Sequence, residues 1–279
     1  MKVLITGANG MVAKAAIAYC QSIGDEVVAK TRQELDIANQ TEVISLFDSE
    51  KFDAVLNCAA YTNVDGAETN HDICNAANNI GATVLALECR RTDTVFVTIS
   101  TDYVFDGTKG DFYTQRDHPN PQGFYAQSKH WGEIYSRMNN ERSIIVRSGW
   151  IFGEDGTNFL SVMHKLLAEG KSIKAISDSF GTPTFAKDLA KRLRELAELD
   201  LPAIYHVCNE GEGTTFAEFA EKVCELKGFD KGLVEGVLMD SLSRPAPRPR
   251  DSRLKCLFSE KFGLSPLPHW EKALSEFLS

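Results

Sequence analysis

This sequence predicts an α/β protein, a doubly wound parallel sheet with a smaller C-terminal lobe. Three observations lead there. Over the first 149 residues, short apolar runs alternate with helical patterns. The first apolar run ends in a glycine-rich turn, "TGANGMVA", that opens a helix. After Gly149 the rhythm loosens into amphipathic helices and a Pro- and Arg-rich stretch. Strands apolar on both faces and separated by helices belong to a parallel sheet covered on both sides. A glycine-rich first turn favours the open sheet over the barrel.

The elements follow in order. "KVLITG" reads as the first strand and "MVAKAAIAYCQSIG" as the helix after it. "EVVAK" is the second strand, "QTEVISLFDSEK" a short helix and "DAVLNCAA" the third strand. "DICNAANNIGATVLALECRRT" reads as one long helix, followed by the strand "VFVTIST". The segment around Tyr125 opens another helix, and "SIIVRSGWIFG" is the next strand. Beyond it, "NFLSVMHKLLAEGK", "FAKDLAKRLRELAEL" and "TFAEFAEKVCELKG" have helical periodicity, and "AIYHVCN" reads as a strand. "SRPAPRPRDSRL" is irregular, because its prolines fix φ and remove donors. We expect a Rossmann unit over 1–149, completed by part of 180–207. Residues 150–279 then form mainly a substrate-binding lobe.

Composition narrows the function. The chain has 279 residues, 43% hydrophobic and 25% charged, with a formal net charge of -9. That charge argues against a nucleic-acid surface, which needs a basic field. No apolar run is long enough to cross a bilayer, and the apolar start of "MKVLITGANG" is too short for a secretory signal. No membrane association is expected. The 7 cysteines include no C-x-x-C pair and read as reduced core residues of a cytoplasmic protein. The 6 histidines form no metal-binding pattern, so no metal is expected.

The motifs give the chemistry. Gly7 permits a tight turn and Gly10 lets backbone amides approach a pyrophosphate at the helix N-terminus. Ala13 stands where a third glycine is common. At the end of the second strand, "AKTRQELD" offers Lys30, Thr31 and Arg32 and has no acid at the strand tip to hold a ribose 2′-hydroxyl. Arg32 fits either a partner for a 2′-phosphate or a solvated basic turn. Asp36 is too far along to be the usual ribose ligand and is expected near the adenine. "STDYVFDG", residues 100–107, ends a strand at its carboxyl edge, where open sheets bind ligands.

Together the glycine turn, "NCAAYTNVDGAE", "STDYVFDG" and "YAQSK" resemble the extended short-chain dehydrogenase/reductases. "SGWIFG", "DSFGTPT" and "RPRDSRL", in that order, narrow the resemblance to the dTDP-4-dehydrorhamnose reductase family. The resemblance implies NADPH-dependent reduction of the 4-keto group of a dTDP-4-keto-6-deoxy sugar, with NADH as the alternative cofactor. Reduction of another nucleotide keto-sugar stays open. So does a non-catalytic NADP-binding role like that of the methionine adenosyltransferase regulatory subunit. A homodimer is compatible with the resemblance.

The resemblance also implies roles. Tyr125 and Lys129 are four apart and share a helix face. A lysine cation there favours the phenolate, and the phenol donates its proton to a carbonyl oxygen. Lys129 also binds the nicotinamide ribose, and Thr101 holds and polarises the substrate carbonyl. Asn9, Met11, Ile37, Ala59, Ala60, Tyr61 and Ser100 join Gly7, Gly10, Thr31, Arg32 and Asp36 around the cofactor. Asn78 supports the active site. Asp102 and Trp150 touch the nucleotide-sugar, Trp150 having a buried core position as its alternative. Arg250 and Arg253 reach the diphosphate or stay solvated. The chain departs from the family pattern at Met11, Ala13 and Asp251, where Gln, Gly and Asn are usual.

Overall fold

The structure is a computed structural model and describes residues 1–279. Its first half alternates strand and helix: β1 (Lys2–Thr6), α1 (Met11–Ser22), β2 (Glu26–Lys30), α2 (Gln40–Ser49) and β3 (Ala54–Asn57). Then come α3 (Val64–Ala67), α4 (His71–Asn75), α5 (Gly81–Arg91), β4 (Val95–Thr101), α6 (Phe124–Asn139) and β5 (Ile144–Ser148). The second half holds β6 (Ile151–Phe152), α7 (Phe159–Ala168), β7 (Ile173–Ile176), β8 (Phe180–Gly181), β9 (Thr184–Phe185), α8 (Ala186–Leu199) and β10 (Ile204–His206). It ends with β11 (Thr214–Thr215), α9 (Phe216–Lys227), β12 (Val234–Val237) and α10 (Trp270–Phe277).

Six strands form one parallel sheet in the order β10-β5-β4-β3-β1-β2. Side chains alternate across a strand, so β1 feeds two cores. Val3 and Ile5 pack with Ala13, Ala16, Leu189 and Leu193 under α1 and α8. Leu4 packs on the other face with Val43, Phe47, Leu85 and Phe96 under α2 and α5. This two-sided burial produces the uninterrupted apolar runs in the sequence. Phe152, Leu160, Phe185, Phe219 and Trp270 form a third core, in the C-terminal lobe.

Three local features differ from the sequence reading. The long helix at 71–91 is interrupted by a π-helical turn, Ala76–Ile80. "SIIVRSGWIFG" is two strands, because Trp150 adopts φ 49° and turns the chain out of the sheet. Ile151–Phe152 then pairs with β9 in the lobe. The sequence reading assigns neither the short β7–β12 ladder nor α10, and both pack on the lobe core.

Candidate active site

The site begins at the turn after β1. Gly7 has φ 69°, and a Cβ there would lie 2.8 Å from the backbone of Ala59. Only glycine fits that backbone and that contact. The turn is closed by Gly10 N–H donating to Gly7 O at 2.8 Å, and tied to β2 by Ala8 N–H donating to Lys30 O at 3.0 Å. Gly10 caps α1 without a side-chain hydrogen bond, so the first amides of the helix remain available to an anion. Ala13 is fully buried in the core under α1, which accounts for its methyl being accepted where a third glycine is common.

Three further strands end at the same edge. Cys58, Ala59 and Ala60 follow β3; Ser100, Thr101, Asp102 and Tyr103 end and follow β4; Ser148, Gly149 and Trp150 end and follow β5. With the glycine turn, Tyr125 and Lys129, they line one cavity of about 810 Å³. The lobe closes it with Thr157, Asn158, Phe159 and Phe216, the last stacked on Trp150 with ring centroids 3.8 Å apart. That size suits a dinucleotide with part of a second ligand.

Tyr125 and Lys129 face inward from the first two turns of α6. Lys129 Nζ donates to the Ile99 carbonyl at 2.6 Å. Burial pushes its ammonium down to about 8, with Glu133 opposing. The Tyr125 phenol is pushed up by burial, with the neighbouring Thr101 hydroxyl opposing; Lys129 is not among the groups that shift it, so the lowering expected from its ammonium is not found. The Lys129 ammonium is directed instead at the Ile99 carbonyl. Beneath them, Arg147 donates to both oxygens of Glu133 at 2.8 and 2.6 Å. Burial alone would raise Glu133; the guanidinium more than reverses this and holds the carboxyl at about 2. Asn78, in the π turn, fixes the approach of the β3 loop. It accepts from Tyr61 N–H at 2.8 Å and donates to the Ser128 hydroxyl at 3.0 Å.

Asp102 is buried and accepts from Thr101 Oγ1 at 3.1 Å and from Ser252 Oγ at 2.5 Å. Burial raises its carboxyl to about 6 despite those bonds. Gly149 must be glycine beside it, because a Cβ would stand 2.3 Å from the carboxylate carbon.

The whole chain, residues 1–279, matches the family model described as the RmlD substrate binding domain. The chain belongs to that family. It is 38% identical to dTDP-4-dehydrorhamnose reductase of Streptomyces griseus, covering 98% of this chain and 91% of that one. It is 36% identical to the spore coat polysaccharide biosynthesis protein SpsK of Bacillus subtilis, covering 99% and 96%. The solved structure of dTDP-4-dehydrorhamnose reductase from Bacillus anthracis, in complex with NADP, superposes with a TM-score of 0.95 at 31% identity, covering 99% of this chain and 98% of that one.

In this family member the cavity gathers Gly7, Asn9, Gly10, Met11, Ala59, Ala60, Ser100, Thr101, Asp102, Tyr125, Lys129 and Trp150. Seven other residues expected to touch cofactor or substrate lie outside its lining: Thr31, Arg32, Asp36, Ile37, Tyr61, Arg250 and Arg253. Thr31 and the exposed Arg32 sit at the tip of β2. That tip does have an acid, since Glu34 turns back onto Thr31. Asp36 accepts from Ala38 N–H and shapes its own turn, while Ile37 is buried against Gly81. The arginines are held elsewhere by carboxylates. Arg250 pairs with Asp178 and Asp240. Arg253 pairs with Asp251 at 2.7 Å and lies over the rings of Phe112 and Phe180. From "RPRDS" it is Ser252 that reaches the site, a residue the sequence reading missed beside the more conspicuous charges. Met11 lines the cavity near Ser161, whose hydroxyl is 3.7 Å from its sulfur.

Proposed function

We propose that this protein reduces the 4-keto group of a dTDP-4-keto-6-deoxy sugar with NADPH, the substrate being dTDP-4-dehydrorhamnose and the product dTDP-L-rhamnose. The observation that carries this reading is the convergence of Thr101, Tyr125 and Lys129 on one cavity with the glycine turn. The cradle fits the cofactor, because Gly7 lets the Ala59 backbone close against the turn and Gly10 leaves the first amides of α1 without a side-chain cap and available to a pyrophosphate. Bound NADPH supplies the hydride.

The chain's own residues do the rest. Thr101 turns its hydroxyl from Asp102 to the carbonyl oxygen when the sugar binds, and orients it. Tyr125, a neutral phenol at pH 7, donates its proton to the oxygen as the carbon is reduced. Lys129, with its ammonium at about 8, is mostly cationic at neutral pH and supports the phenolate left behind. Asp102 accepts from a sugar hydroxyl, and the face of Trp150 covers the deoxysugar ring. The unpaired state of all seven cysteines supports a reducing, cytoplasmic setting.

The test is incubation of the purified chain with dTDP-4-dehydrorhamnose and NADPH, with identification of the sugar product. The wild type yields dTDP-L-rhamnose. Tyr125→Phe keeps NADPH affinity and loses about a hundredfold or more in turnover. Failure of the wild type to consume NADPH with any dTDP-4-keto sugar would remove the proposal, and undiminished turnover in Tyr125→Phe would remove the assigned acid.

A further inference from the structure

The tip of β2 carries an acid that its place in the sequence conceals. Glu34 lies beyond the strand, but the chain folds back at once: the backbone N–H groups of Glu34 and Leu35 donate to the Thr31 carbonyl at 3.2 and 3.0 Å. Glu34 Oε2 then accepts from the Thr31 backbone N–H at 2.9 Å and from the Thr31 hydroxyl at 2.8 Å. These two bonds hold its carboxyl below the usual range. The same oxygen thus takes both donors that Thr31 presents.

The position of this carboxylate gives it consequence. The Ala8–Lys30 hydrogen bond joins the glycine turn and the end of β2 into one rim. In a doubly wound sheet, a pyrophosphate on the first turn of α1 leaves the adenosine ribose at the end of the second strand. An acid there accepts from a ribose 2′-hydroxyl, whereas a basic residue nearby accommodates a 2′-phosphate. This chain has both, with Glu34 on Thr31 and the exposed Arg32 between them in sequence.

We propose that Glu34 sets the cofactor preference, its carboxylate occupying the Thr31 donors that a 2′-phosphate would take and accepting from the 2′-hydroxyl when no phosphate is there. This deepens the reading of the cavity as an NADPH-dependent site and rests on it. Both effects act in one direction. A phosphate must displace or face a like charge, and a bare ribose gains an acceptor, so Glu34 narrows the advantage that Arg32 gives NADPH. The residue is exposed and tied only to its own turn, so replacing it spares the fold.

The experiment is calorimetric titration of the full chain with adenosine 2′,5′-bisphosphate and with 5′-AMP, for the wild type, Glu34→Gln and Glu34→Ala. The ratio of the two affinities should shift toward the bisphosphate by about tenfold in Glu34→Ala at low salt, and by less at high salt. Glu34→Gln, which keeps the shape and loses the charge, should shift it in the same direction. The NADPH-to-NADH ratio of kcat/KM should follow. Ratios within twofold of wild type in both variants would overturn the proposal and leave the cofactor site standing. If neither adenosine phosphate binds the wild type, the cofactor reading itself fails and takes this proposal with it.

Discussion

Replacing Asp102 by Asn should make the protein more stable above pH 6. Burial raises this carboxyl from 3.8 to about 6, against the pull of Ser252, Thr101 and nearby backbone N–H groups. A difference of one pKa unit corresponds to about 1.4 kcal/mol, so ionised Asp102 costs about 3 kcal/mol of folding free energy. The sign follows from where each state releases its proton. Below about pH 4 the group is protonated whether folded or unfolded, and the cost vanishes. Between about 4 and 6 the unfolded chain releases the proton first and the cost grows; above about 6 it is complete. Asn has the same shape, retains one acceptor and offers donors that the Ser252 and Thr101 hydroxyls can accept. Urea unfolding at pH 8 should therefore show Asp102→Asn more stable by about 3 kcal/mol, with the gain shrinking toward zero at pH 4. A gain of equal size at both pH values, or a loss at pH 8, would refute the reasoning. Activity should fall in the same variant, since the group retained at this cost is the one placed to accept from the sugar.

Two further outcomes follow from the geometry. Gly7→Ala forces a left-handed backbone onto a side chain and puts its methyl 2.8 Å from Ala59, so it should cost about 2–4 kcal/mol and abolish NADPH binding; a thermal melt and a cofactor titration at wild-type values would contradict this. Arg250→Ala and Arg253→Ala should leave dTDP affinity within about twofold of wild type, while loss of the Asp251 pair and the Phe112 and Phe180 contacts lowers the stability of Arg253→Ala by about 1–2 kcal/mol; a large drop in dTDP affinity would show that the loop rearranges on binding.

The sheet was legible because parallel strands buried on both faces leave long apolar runs, as β1, β4 and β5 do. The glycine turn was legible because its geometry excludes other residues. Tyr125 and Lys129 were legible because their spacing matches a helix face and because "STDYVFDG" precedes them. What the sequence concealed depends on long-range return of the chain. Ser252 meets Asp102 across 150 positions, and Phe216 meets Trp150 across 66, with no local pattern to announce either. Glu34 was concealed by the opposite circumstance, a turn so tight that an acid outside the strand comes back to its tip. The ion pairs of the Pro-rich loop were concealed because charge is visible in a sequence and its neutralising partners, Asp178 and Asp240 for Arg250, are not.

The order of strands has a consequence for the chain as it is made. α1 is complete by Ser22, yet α8, which covers it, spans Ala186–Leu199, and the sheet's edge strand closes only at His206. At about 5–20 residues per second, a ribosome takes roughly 10–40 s to synthesise the intervening chain. Until α8 is made the nascent sheet has Val3, Ile5, Ala13 and Ala16 open on one side, and β5, once synthesised, stays an edge until β10 joins it. Synthesis passes through α7 and β7 of the lobe before the missing cover arrives. Nascent chains stalled short of about residue 207 should therefore be the ones that engage chaperones, and early stop codons should yield insoluble fragments rather than a free-standing nucleotide-binding half.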